Sequence, residues 1–417
     1  MKFNLNFIVE IKMDSKTLIT DISNDPEISS KVLVTDRDVE YDLTCFCYDT
    51  CTNKDSDKLK QCRGLVFQSN NLLLKTYSYA DEYTSIEMIP SCEEEFDSVI
   101  DHYESCEGTL LRMYWVEKPS KDVGKEEGKA LNEEKKKEGK WFLSTHKKLD
   151  AFHSKWSSRY SFGVLFTLAL EKESLREPLL SFMKDSHGDN VFERFQNTLD
   201  KKKQYTFLLR NNSENRIVCD VPNEQEPCVF HVGTFSHGSY INNWFEDQIL
   251  PQPVKHKFNT VSDLIDFINN KGCKEIQGII SLTKEGKQVK VVSEEYYNKF
   301  KIRGNQPSIN FRYLQLLNDE VELKELKELY PNHNSTFTEY DNILKEIAIL
   351  IHRAYIERFI EKKYVVVTPD KYQVIKKCHA WHIENRQKNI VTLNVVQHLL
   401  LQQGPVKLNS MIKIYDF

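Results

Sequence analysis

From Phe3 to about Phe300 the chain alternates short β-rich runs with polar turns. Examples are Gly64–Phe67, Leu72–Tyr77, Thr109–Trp115, Tyr205–Leu209, Cys228–Val232 and Gly278–Leu282. Runs of this length, rich in β-branched and aromatic residues and bounded by turn formers, predict strands. Ser262 precedes Leu264, Ile265, Phe267 and Ile268, a helical pattern with an N-cap at the serine that leads into the Gly278 strand. Beyond Pro307 the period changes: Leu314, Leu317, Leu323, Leu326 and Leu329, then Ile343, Ile347, Ile351, Ala354 and Tyr355, recur every three or four residues. The pattern predicts an α+β chain with a mixed domain over 1–306 and a helical domain over 307–417. No internal repeat is present.

Within the first domain, residues 117–140 are dominated by Lys, Glu and Gly and hold almost no large apolar side chain. Such a stretch cannot offset the entropy of ordering, so we expect a mobile charged insertion joining two strands. Its mixed signs favour a solvated loop over an RNA-binding tail.

A length of 417 residues with 40% hydrophobic content allows two or three domains with a large core. The formal net charge of -5 excludes a globally basic nucleic-acid coat, so any phosphate contact must come from local patches. Ten scattered cysteines and a charged start lead us to expect a reducing, cytoplasmic setting, meaning host cytoplasm or virion if the chain is viral. No apolar run approaches the roughly 20 residues of a bilayer span, the longest candidate being Ile343 to Ile351, so no membrane role is expected. Cys45, Cys47 and Cys51 invite a zinc reading, but no second pair lies near, and ordinary free cysteines are favoured. Cys378 and His382 share a helix face without an identified other half-site, so no metal site is expected.

Five segments, in order, resemble the motifs of phage-type, tRNA-repairing RNA ligases of the covalent nucleotidyltransferase superfamily. Gln61-Cys-Arg-Gly-Leu-Val-Phe67 is similar to that family's E-C-R-G strand. Ser105-Cys-Glu-Gly-Thr-Leu110 falls at its K-x-D-G nucleotidyl motif. Phe207 to Val218, ending Asn215-Arg216-Ile217-Val218, falls at F-E-x…N-R-I-V. Ile276-Gln277-Gly278 falls at the E-G motif, and Gln288-Val-Lys290-Val-Val292-Ser293 at the closing K-x-K-S. The likeness covers about residues 40 to 315 and implies a nucleotidyltransferase fold of ATP-grasp-like antiparallel sheets followed by a variable helical domain.

In such ligases a lysine amine attacks the α-phosphorus of ATP, two carboxylates hold a divalent cation or the lysine, and paired lysines neutralise phosphate charge. Here the lysine position is Ser105, the carboxylate positions are Leu208 and Gln277, and the second closing lysine is Val292. Arg63, Gly64, Gly108, Asn215, Arg216 and Gly278 are retained. The resemblance therefore implies the fold with its chemistry lost, and no catalytic residue is expected.

Candidates for nucleotide or phosphate binding are Arg63, Glu107, Gly108, Lys147, Arg216, Gln277 and Lys290. Arginine beside glycine on a strand can present a bidentate fork, although a surface ion pair would explain it too. Lys147 follows the Trp141–Leu143 strand where the family carries a lysine-containing stretch. The implied role is a pseudoenzyme that binds RNA, tRNA-like or nicked, or a partner protein in RNA repair, processing or transcription, with no cofactor expected. The first alternative is an active ligase using ATP and Mg²⁺ through a relocated lysine at Lys75, Lys147 or Lys290. The second is a structural subunit of a viral RNA-processing or transcription complex. Basic residues interleaved with Tyr364, Tyr372 and Trp381 near the C-terminus suit RNA or a solvated helix face, the latter slightly favoured.

Overall fold

The strand-forming runs of the first 300 residues assemble into three sheets. The computed structural model describes residues 22, 24–85, 99–119, 138–156, 158–211, 218–219, 227–241, 249–274, 276–283, 286–306 and 308–415. Its contacts divide the chain into two units, Met1–Tyr297 and Asn298–Phe417. The division falls some residues before the change of period at Pro307.

In the first unit, β1 (Val32–Asp38), β2 (Leu43–Tyr48), β3 (Leu65–Gln68) and β4 (Asn71–Leu74) form an antiparallel sheet in chain order. β4 stops at Leu74, short of the predicted Tyr77. Ten further strands follow: β5 (Asp81–Thr84), β6 (Val99–Ser105), β7 (Thr109–Glu117), β8 (Gly139–Ser144), β9 (Gln204–Arg210), β10 (Cys228–Ser236), β11 (Ser239–Ile241), β12 (Lys255–His256), β13 (Gly278–Thr283) and β14 (Gln288–Val292). They form two five-stranded sheets ordered β11-β10-β9-β7-β8 and β12-β6-β13-β14-β5. The expected antiparallel pairing holds except between β14 and β5, which run parallel. Those two strands lie some 200 residues apart in the chain, so no hairpin dictates their direction. The charged insertion joins β7 to β8, which pair as far as Glu117 and Gly139. Residues 120–137 of it lie outside the described residues.

Helices α1 (Pro26–Lys31) and α2 (Asp57–Gln61) precede and interrupt the first sheet. α3 (Phe162–Leu170), α4 (Glu173–Phe182) and α5 (Val191–Thr198) pack Phe166, Phe195 and Leu179 against Tyr205, Phe207 and Leu209 of β9. Because side chains alternate along a strand, this burial turns Leu208 to the other face. On the third sheet, α6 (Val261–Lys271) buries Leu264 and Ile268 against Ile279 and Val291, which likewise turns Ile280 and Lys290 away from the helix.

The N-cap of α6 is Thr260, two residues before the predicted Ser262. Thr260 Oγ1 accepts from the Asp263 N–H at 3.1 Å while the Asp263 carboxylate accepts from the Thr260 N–H at 3.1 Å. That reciprocal pair satisfies two end-of-helix donors, which a lone serine cap cannot do.

α7 (Glu294–Arg303) runs across the division. The second unit then holds α8 (Ile309–Leu316), α9 (Glu320–Leu329), α10 (Asn334–Tyr355) with a π-helical end at Ile356–Ile360, α11 (Pro369–Glu384), α12 (Leu393–Leu401) and α13 (Pro405–Tyr415). Its described residues contain no strand. Tyr313 stacks on Phe337 at 4.5 Å and 6°, and Leu326, Ile347, Ile351, Val374, Val396, Leu400 and Leu408 are buried.

Candidate functional site

The segment Ser105–Gly108 carries the chain from the third sheet to the second, since β6 and β7 belong to different sheets. Two glycines make this crossing possible. A Cβ on Gly278 would sit 1.9 Å from the Val291 carbonyl oxygen, and one on Gly108 2.7 Å from that of Leu209. Contacts that short are not available to a side chain, so both positions require glycine. Gly278 pairs with Ser105, and the Gln277 N–H donates to the Ser105 carbonyl at 2.8 Å.

Glu107 lies in the crossing but does not line the cavity. Its carboxylate is buried and accepts from the Val218 N–H at 2.9 Å and the Cys219 N–H at 3.0 Å. Burial pushes its carboxyl above the usual range, in part offset by those amide bonds. In this position Glu107 anchors residues 218–219 rather than facing the cavity.

Between the two five-stranded sheets lies a cavity of about 570 Å³. Tyr103, Ser105, Gln277, Ile280 and Lys290 line it from the third sheet and its entry, and Thr109, Leu110, Leu208 and Val232 from the second. Arg63, the Thr145–Lys148 segment and Ser154–Trp156 complete the wall. Its cations are Arg63, Lys147, Lys148, Lys155 and Lys290, against the carboxylates Glu82 and Glu104. Tyr77, Tyr79, Tyr103, Trp156 and Phe162 add aromatic surface. Pockets of this size with a few convergent polar groups hold small molecules or single nucleotides.

Several wall groups are constrained. Arg63 donates to the Ser78 carbonyl at 3.1 Å. Fully buried Arg112 donates to the carbonyls of Gly64 and Thr145, which ties the R-G turn to the β8 exit. Gly64 has φ +66°, and a Cβ there would meet His146 backbone at 2.8 Å. Burial, with Arg63 and Arg112 close by, holds the His146 imidazole well below its ordinary pKa, so it is neutral. His146 Nε2 and Gln277 Oε1 are both buried and meet no hydrogen-bond partner among the described residues. Lys290 pairs with Glu82 at 2.6 Å, its cross-strand neighbour, while exposed Lys147 reaches Asp49 at 3.3 Å.

Of the positions singled out from the sequence, Arg63, Ser105, Gly108, Lys147, Leu208, Gln277 and Lys290 come together in this one cavity. Arg216 lies outside the described residues, as does Asn215. Lys75 is not in the wall. Its amine donates to Gln61 Oε1 at 2.8 Å, and burial lowers its pKa. Sequence reading missed Glu82, Glu104, Lys155 and the tyrosines, which the fold brings from segments carrying no motif. Cys45 and Cys47 are free and buried, and no group of three or more His, Cys, Asp or Glu residues placed to hold a metal exists among the described residues. His382 Nδ1 lies 2.7 Å from the Asn389 carbonyl oxygen.

The lysyl transfer from ATP and the Mg²⁺ that the ligase resemblance implies find a poor fit. Ser105 offers no amine, and Leu208 and Gln277 offer no charge to a cation. The two wall carboxylates are already engaged, Glu82 with Lys290 and Glu104 with His256 at 3.1 Å and Lys271 at 3.3 Å. No step through a covalent nucleotide follows from these residues.

No protein-family model matches the chain. It is similar to the immediate-early protein ICP-46 homolog of Invertebrate iridescent virus 6, at 27% identity over 399 residues, covering 89% of this chain and 80% of that protein. The ICP-46 homolog of Invertebrate iridescent virus 3 is 25% identical over 379 residues, covering 87% and 75%. Among solved structures, a mutant RNA ligase of Naegleria gruberi with AMP and Mn aligns with a TM-score of 0.32 and 10% identity over 55% of this chain and 60% of that one. No helix among the described residues is long and apolar enough to cross a membrane.

Proposed function

We propose that this chain is an RNA-ligase-like nucleotidyltransferase domain that has lost nucleotidyl transfer and serves as an RNA-binding module in viral RNA repair, processing or transcription. One observation carries the reading. Seven positions named by motif order line a single cation-rich cavity, and the three that would do chemistry are Ser105, Leu208 and Gln277. Lysine and arginine around aromatic rings suit a phosphate attached to a base, since cations hold the anion while rings stack. The iridescent-virus relatives support a viral setting; the host cytoplasm or virion is the compartment that goes with this reading.

A second reading rests on Lys147, Lys148, Lys155 and Lys290, four amines in the same wall. One of them acting as nucleophile would make the chain an active ATP-dependent ligase. Incubation with α-labelled ATP and Mg²⁺ or Mn²⁺, followed by a denaturing gel, separates the two. The pseudoenzyme leaves no protein-bound label, and an acid-labile adenylated band ends that reading. RNA binding through phosphates shows as an electrophoretic shift that weakens with salt. A salt-insensitive protein complex without any RNA shift would instead favour a structural subunit.

A further inference from the structure

The cavity's charge balance goes beyond the loss of a nucleophile. A divalent cation needs unengaged anionic oxygens. Here Gln277 supplies only an amide, and both wall carboxylates are spent on neighbouring cations, Lys290 at 2.6 Å in one case and Lys271 at 3.3 Å in the other. Five cations line the same space against those two carboxylates, with Lys147 and Lys148 also within reach of Asp49 at 3.3 Å and Asp36 at 3.7 Å outside the wall. A phosphate entering it would be neutralised by protein side chains, whereas a metal would be repelled by them. Gln277 lines the cavity, and its buried Oε1, which has no donor among the described residues, is an acceptor that a sugar hydroxyl or a base amine can satisfy once the side chain turns to it.

We infer that this cavity binds a phosphorylated nucleotide without a divalent cation. The inference rests on the RNA-binding reading above and specifies its ligand: a free nucleoside polyphosphate or the 5′-phosphorylated end of an RNA strand. In either case Gln277 accepts a hydrogen bond from the sugar or base, and Lys290 with the lysines after β8 takes the phosphate.

The test titrates the full-length protein with two probes, mant-ATP and a short 3′-fluorescein RNA bearing a 5′-monophosphate, in EDTA and in millimolar Mg²⁺. Mant-ATP is expected to bind in EDTA as tightly as in Mg²⁺ or more so, because the metal hides phosphate charge from the lysines. The RNA probe should show no loss in EDTA and should bind more tightly than its 5′-hydroxyl counterpart. An affinity for both probes that falls about tenfold or more in EDTA overturns the inference. Gln277→Glu should weaken binding in EDTA by about tenfold through one added like charge, with Mg²⁺ restoring part of it. An unchanged affinity in that variant, with its thermal midpoint intact, also overturns it. RNA binding that survives Lys290→Met and Gln277→Glu, with no mant-ATP bound, ends the inference and leaves the RNA-binding reading standing. EDTA-insensitive binding together with a covalent AMP label would support the inference while ending the non-catalytic reading.

Discussion

Single atoms decide much of this site. At Gly278 the missing Cβ is the reason β13 lies flush against the Val291 carbonyl, with 1.9 Å available where a methyl needs about twice that. Gly278→Ala is therefore expected to cost about 3 kcal/mol or more, read as a lowered urea midpoint, because backbone rather than a flexible side chain must yield. A midpoint within error of wild type would show that the strand can shift at no cost. His231 illustrates the opposite case, a buried ring whose pKa is held down to about 4 by desolvation, against a contact with the Gly233 carbonyl at 3.1 Å that raises it. An unfolded histidine titrates near 6.5, so between about 6.5 and 4 the unfolded chain binds a proton that the folded chain refuses. Stability from this group is complete above that window and falls as pH drops through it, by up to about 1.4 kcal/mol per pH unit. The difference in unfolding free energy between wild type and His231→Gln should follow that slope, and a pH-independent difference would remove the histidine from the account.

Among the elements, the β6–β7 crossing is held through Glu107, whose carboxylate gathers the amides of Val218 and Cys219. Glu107→Ala should orphan both donors, each at about 1–3 kcal/mol, and speed hydrogen exchange at residues 218 and 219 ahead of neighbouring strands. Unchanged exchange there would mean the segment is held by something else. Strand positions were legible from the chain because β-branched runs between turn formers are a local signal, as at β7, β9, β10 and β13. The cap of α6 was misplaced at Ser262 because any Ser or Thr before an apolar run satisfies the simple pattern. Only the Thr260-to-Asp263 spacing distinguishes the true start. The cavity was half legible. Arg63, Gln277 and Lys290 lie in ordered motifs, but Glu82 enters through a parallel pairing with β14 that no local pattern announces.

For the molecule as a whole, the first unit holds the three sheets and the second is helical in its described residues. The second contains its own stacked Tyr313–Phe337 pair and buried Leu326, Ile351, Val374 and Leu408. A fragment of residues 298–417 should accordingly show helical circular dichroism and a cooperative melt, whereas a broad, featureless melt would mean that its core depends on the rest of the chain. The net charge of -5 gave no hint of a basic cavity, because five cations in one wall disappear into a total of 57 basic and 62 acidic residues.

The hop from one sheet to the next at Ser105–Gly108 is secured by main-chain atoms, by the inward-turned Glu107 carboxylate and by the absence of side chains at two glycines, not by whatever projects from residue 105. A socket framed in this way is indifferent to its fitting. The group carried by residue 105 can change and the segment still fold to the same shape, leaving natural selection, or an engineer, free to install a new task without rebuilding the frame.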